Sequence, residues 1–123
     1  MGRVLIVDDE SLISNGLKVF LEDEGLNAET AASGEEAVAM LQQGRDYDVC
    51  IMDMRLPGMD GNETIRAIHD INPEIRFIVH TGSVNYLVPD DLKHLGIQEE
   101  HLFHKPLADM ALIAKAIKTL QID

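Results

Sequence analysis

Short uninterrupted apolar runs alternate along this chain with segments whose apolar residues recur every three or four positions. Val4 to Val7 is aliphatic throughout and is cut off by Asp8, Asp9 and Glu10, the pattern of a strand buried on both faces with acids at its carboxyl end. From Ser11, the residues Leu12, Ile13, Gly16, Leu17, Phe20 and Leu21 return at helical spacing, and Gly25 ends that helix. The alternation repeats with a weak strand over Ala28 to Ala32. Ser33-Gly34-Glu35-Glu36 then reads as a capping box for a helix that turns Ala37, Val38 and Leu41 inward and closes at Gly44. Asp48 to Met52 is a third strand, ending at Asp53. The turn-rich RLPGMDG follows, and Asn62 is a candidate cap for a helix burying Ile65 and Ile68. Phe77 to His80 makes a fourth strand, with a loop from Thr81 to about Val88. Pro89 suits the first turn of a short helix over Asp90 to Leu95. A brief strand around Leu102 and Phe103 leads to Lys105-Pro106. A last helix, beginning near Ala108, lines Leu112, Ile113, Ala116, Ile117 and Leu120 on one face.

Five strand–helix pairs joined by short connections predict an α/β fold, a parallel sheet covered by helices on both faces, because each right-handed crossover needs a helix to bring the chain back. With 123 residues and no linker, repeat or low-complexity stretch, residues 1–123 are expected to form one domain. A composition of 46% hydrophobic and 26% charged residues excludes a collagen-like or disordered chain. The 10 Lys and Arg against 22 Asp and Glu leave a net charge of −12, which repels nucleic acid and anionic lipid. The single cysteine, Cys50, allows no internal disulfide. The first apolar run is too short for a signal peptide, and no run reaches membrane-spanning length, so a cytoplasmic protein is expected.

In an open parallel sheet, ligands bind beyond the carboxyl ends of the strands. Asp8 and Asp9 end the first strand, Asp53 the third, Thr81 the fourth and Lys105 the fifth, so three carboxylates, a hydroxyl and an ammonium can converge on one crevice. Carboxylates packed together repel unless a cation joins them, and a hard divalent ion such as Mg²⁺ takes such oxygen ligands. Taken alone, Asp8-Asp9 is equally a pair of solvated acids at a helix N-terminus. Asp60 reads as a turn former and Cys50 as a core residue. His80 and His104 read as structural or surface side chains that strand alternation points away from Thr81 and Lys105.

VLIVDDE, VCIMDMRLPGMDG, IVHTGS and HKPL occur in the order and near the spacing of a response-regulator receiver domain, the phosphoacceptor module of two-component signalling, and the chain resembles that family over nearly its whole length. The resemblance implies a flavodoxin-like, three-layer doubly wound sheet of five strands in the order 2-1-3-4-5. It also implies Asp53 as phosphoacceptor and Asp9 as a direct metal ligand, with Asp8 acting through water and Arg55 through its backbone carbonyl. Thr81 and Lys105 would hold the phosphoryl oxygens around Mg²⁺ or Mn²⁺. The expected role is a signalling domain, not an enzyme acting on outside substrates. It would catalyse its own phosphoryl transfer from a sensor histidine kinase or a histidine phosphotransfer protein, and its own dephosphorylation, and would change its contacts with a downstream protein. Direct nucleic-acid binding and membrane insertion are not expected. Two alternatives are a receiver excised from a larger regulator or hybrid kinase, and a small Mg²⁺-dependent phosphatase that forms an aspartyl phosphate. The second is disfavoured because haloacid-dehalogenase-like enzymes carry an acid two residues after the nucleophile, where this chain has Arg55. The chain departs from the family pattern at Leu102, where receivers usually have an aromatic residue three positions before the lysine, and in its short fourth helix. Tyr86 is a loop aromatic that could stand in for the missing ring.

Overall fold

A computed structural model describes residues 3–83, 86–105 and 109–122. The strands are β1 (Arg3–Val7), β2 (Asn27–Ala31), β3 (Val49–Met52), β4 (Arg76–Thr81) and β5 (Leu102–His104). The helices are α1 (Ser11–Asp23), α2 (Gly34–Gln42), α3 (Gly61–Ile71), α4 (Asp90–His94) and α5 (Ala111–Ile122), and a 3₁₀ turn over Glu99–His101 precedes β5. All pairings are parallel and the sheet order is β2-β1-β3-β4-β5, the doubly wound order expected.

The period of two along the strands sorts the core into two layers. Leu5, Val7, Cys50, Met52, Phe77 and Val79 face Ala37, Leu41, Ile65 and Ile68 of α2 and α3. Val4, Ile6, Val49, Ile51 and Ile78 face Leu17 and Leu21 of α1 and Ile113 and Ile117 of α5. The inner strands therefore read as continuous apolar runs, while the edge strands β2 and β5 are only partly buried. Burial pushes the Cys50 thiol far up, which makes it a packed core group and a poor nucleophile.

Several local expectations need correction. The buried stripe of α1 runs through Ser14, Leu17 and Leu21, and Leu12, in the first turn, lies outside it at 90% exposure. Leu112 likewise lies half in solvent, outside the Ile113–Ile117–Leu120 stripe. Helix α3 is capped by Asp60, not Asn62. The Asp60 side chain accepts the Glu63 N–H and the Glu63 side chain accepts the Asp60 N–H, because Asp caps as well as Asn and only Asp60 has a glutamate three residues on. The box at Ser33 is half formed: Ser33 Oγ accepts the Glu36 N–H, but Glu36 Oε1 reaches past it to the Ala32 N–H at 2.7 Å. Pro89 is the residue before the first turn of α4, extended at ψ 153°, and does not lie inside it. The expected start of the last helix near Ala108 falls outside the described residues.

Candidate functional site

Register places the chemistry. Val7 pairs with Met52 across β1 and β3, so Asp8 and Asp53 leave the sheet side by side. Their backbone N–H groups are held by the Ala31 and Val7 carbonyls at 3.1 and 3.0 Å. Thr81 pairs with His104 across β4 and β5, and the Lys105 N–H donates to the Thr81 carbonyl at 2.8 Å, which brings the lysine to the same edge. Lys105 Nζ then lies 2.8 Å from Asp8, 2.9 Å from Glu10 and 3.3 Å from Asp53. Asp8 and Asp53 are buried at 3% exposure each, while Asp9 and Glu10 are open to solvent. Oxygen atoms of Asp8, Asp9, Glu10 and Asp53 all fall within 4.8 Å of one another.

Four carboxylates around one ammonium are an electrostatic problem. Burial works against the Lys105 charge, but hydrogen bonds to Asp8 and Glu10 and the charges of Asp53 and Asp8 outweigh it and hold the amine protonated well above the usual lysine range. Burial pushes the Asp8 carboxyl up, while the Lys105 hydrogen bond and the Glu10 N–H pull it back. On the exposed Glu10, the Lys105 hydrogen bond lowers the carboxyl. The acids still outnumber the cations around a cleft of about 290 Å³ lined by Asp9, Glu10, Asp53, Arg55, Gly82 and Lys105. An all-oxygen set of this kind fits a hard divalent cation, which needs no nitrogen or sulfur donor.

The structure thus brings together Asp8, Asp9, Asp53 and Lys105 and sets Arg55 on the cleft wall, its N–H donating to Asp53 Oδ1 at 3.2 Å. Thr81 ends β4 beside Lys105, where it is fully buried and its Oγ1 accepts the Ser83 N–H at 3.1 Å. Glu10 was missed as a member of the cluster. Its signal was present, since it ends the acidic run after β1, and the helix start it occupies makes no side-chain cap and leaves the carboxylate free to turn to Lys105.

His80 lies on the α1 side of the sheet with Ile78, as alternation requires. It is not remote from Lys105, however, because both border a cavity of about 280 Å³ with Leu12, Gly16, Leu17 and Met110. It is 4% exposed and neither ring nitrogen has a hydrogen-bond partner among the described residues. His104 is exposed. Leu102 is half-buried on the α3 side of the sheet. Tyr86 packs there too, and its hydroxyl donates to Asn62 Oδ1 at 2.7 Å. Burial raises the Tyr86 phenol to about 12.

An open five-stranded parallel sheet with acids beyond β1 and β3 and a lysine beyond β5 is the arrangement expected of a receiver domain. The chain belongs to the response regulator receiver domain family, whose model matches residues 4–117, and that family is one of signalling domains. The cell cycle response regulator CtrA of Brucella ovis is 29% identical over 113 residues, covering 92% of this chain and 47% of CtrA, so the chain spans about half the length of the curated relatives it matches. Among solved structures, the response regulator TrrA of Thermotoga maritima in complex with Mg²⁺–BeF is 29% identical with a TM-score of 0.80, over 98% of this chain and 99% of that one. The N-terminal domain of a three-domain response regulator/sensory box/GGDEF protein from Carboxydothermus hydrogenoformans is 26% identical with a TM-score of 0.82, over 98% and 94% of the two chains. No helix among the described residues is long and apolar enough to cross a membrane.

Proposed function

We propose that this chain is the phosphoacceptor of a two-component relay, and that residues 1–123 act as one receiver domain that takes a phosphoryl group onto Asp53. The observation that carries the reading is the Lys105 ammonium seated on Asp8 and Asp53, two buried carboxylates from different strands. An Asp53 carboxylate oxygen bonds to the phosphorus of a phosphohistidine on a sensor kinase or phosphotransfer protein. The P–N bond breaks, and its electron pair stays on the imidazole nitrogen, which takes up a proton. Two anions must approach, so the rate depends on positioning and on neutralising the transferring oxygens. Lys105 supplies one mobile positive charge. Asp8, Asp9, Asp53 and the Arg55 carbonyl would hold Mg²⁺ or Mn²⁺, which supplies Lewis-acid stabilisation of the phosphoryl oxygens. The neighbour solved with Mg²⁺–BeF supports that assignment. Incubation with Mg²⁺ and acetyl phosphate, followed by peptide mass spectrometry, should place an acid-labile adduct on Asp53. An adduct on any other residue overturns the reading.

Mg²⁺ should also stabilise the fold, because it relieves repulsion that exists only in the native cluster. At ~100 times the dissociation constant, linkage gives about 2.7 kcal/mol. The rise in melting temperature should vanish in Asp9→Ala, and an unchanged rise there would place the ion elsewhere.

Signal output runs through the segment after β4. The Thr81 hydroxyl oxygen accepts the Ser83 N–H, so its own O–H is free to donate to a phosphoryl oxygen, and that contact is tied directly to the loop. A ligand biases a two-state element only through such differential contacts. Hydrogen exchange with beryllofluoride bound should change over residues 81–96 and stay constant over Leu102–His104. A change centred on β5 and α5 would relocate the switch. A second reading, a receiver cut from a larger regulator, is favoured by the half-length coverage of the curated relatives and by the three-domain neighbour, and the length of the parent gene decides it.

A further inference from the structure

The loop that carries Arg55, residues 54–60, is tied at its ends and along its inner side. The Gly61 N–H donates to the Met54 carbonyl at 3.3 Å. Gly61 itself is pressed onto the strand end, where a Cβ would come within 2.6 Å of the Asp53 carbonyl oxygen and 2.7 Å of Met54 Cα. Met54 and Leu56 are buried in the core. A further tie comes from another element. Glu35, in the first turn of α2, accepts the Met59 N–H at Oε2, 3.0 Å away. Its carboxylate also covers Gly58, where a Cβ would stand 2.7 Å from Oε2 and where φ is +73°, a conformation suited to glycine. Gly34 lets α2 approach this closely, since a Cβ there would overlap Thr64 Oγ1 and crowd the Met59 carbonyl. The Met59 hydrogen bond lowers the Glu35 carboxyl, consistent with a carboxylate committed to the loop. Its neighbour Glu36 occupies the same first turn but is spent on the Ala32 N–H. The helix dipole therefore favours both acids, and only Glu35 reaches the loop.

We propose that Glu35 is a positioning residue for the divalent-cation site, fixing from α2 the 54–60 loop whose Arg55 lines the carboxylate cleft, so that the Arg55 carbonyl can serve the cation. The inference rests on the receiver reading and extends it to a side chain that touches neither cation nor phosphoryl group. Outer partners that orient a metal ligand typically contribute 10- to 100-fold in affinity. In the full chain, Mg²⁺ titration followed by amide chemical shifts should show Glu35→Ala weakened roughly tenfold. Glu35→Gln, whose amide oxygen still accepts the Met59 N–H, should bind close to wild type. Glu36→Ala, which removes an equivalent helix-start acid without touching the loop, should leave the affinity unchanged. Exchange of the Met59 amide should speed up in Glu35→Ala and recover in Glu35→Gln, a pattern that general destabilisation does not produce. Wild-type Mg²⁺ affinity in Glu35→Ala, with binding lost in Asp9→Ala, would overturn the role of Glu35 alone. Equal affinities in wild type and Asp9→Ala would overturn the cation site itself, and the inference with it.

Discussion

Asp53→Asn should abolish the acid-labile, hydroxylamine-sensitive adduct while leaving the fold in place. The amide oxygen lacks the charge that makes the carboxylate a nucleophile. It can still accept the Arg55 N–H, and Lys105 keeps Asp8 and Glu10 as partners, so the apo stability should move by no more than ~1 kcal/mol. Undiminished adduct in Asp53→Asn would remove Asp53 from the reaction. Lys105→Ala should behave differently. It strips the cation from two buried carboxylates, a class of change that costs about 3–5 kcal/mol when one partner of a buried pair is removed. Mg²⁺ should recover much of that loss, because a divalent ion neutralises the same oxygens, yet phosphoryl transfer should stay impaired. Urea unfolding with and without Mg²⁺ separates the two effects, and wild-type stability and transfer in Lys105→Ala would take the lysine out of the site.

How far the sequence reveals this molecule depends on the range of the interactions involved. The strand runs Val4–Val7 and Val49–Met52 and the acids that end them were legible because a strand buried on both faces leaves one pattern, and because register then carries Asp8 and Asp53 to one edge. The outer side of α1 was not, since Leu12 satisfies the same spacing rule as Leu17 and only the sheet decides which stripe turns inward. Asp60 and Asn62 are both good caps within two residues, and the glutamate at position 63 selects the first. Glu10 and Glu35 are harder still. Each is a surface acid at a helix start, and what distinguishes it is a contact to a residue distant in sequence, Lys105 in one case and Met59 in the other.

Acidification should destabilise the fold through His80 before most carboxylates are protonated. Burial, with a smaller push from the Lys105 charge, lowers the imidazole from 6.5 to about 4, although Asp53 and Glu10 favour its charged form. The folded value lies below the unfolded one, so the unfolded chain takes up a proton first. Stability is complete above about pH 6.5 and falls as the pH drops toward 4. A difference of about 2.5 pH units at 1.36 kcal/mol each is worth roughly 3 kcal/mol. His80→Leu should remove that slope. At pH 7.5 it should match or exceed wild type by ~1 kcal/mol, because it deletes two buried nitrogens that lack partners among the described residues. Denaturant unfolding of both proteins across pH 4 to 8 makes the comparison. Carboxylates whose pKa is lowered in the fold, such as Glu29 and Asp91, lose their contribution in both chains alike and cancel. Parallel curves for wild type and His80→Leu would show that the ring is charged or solvated in the native state, and would remove the buried neutral histidine from the wall behind Lys105.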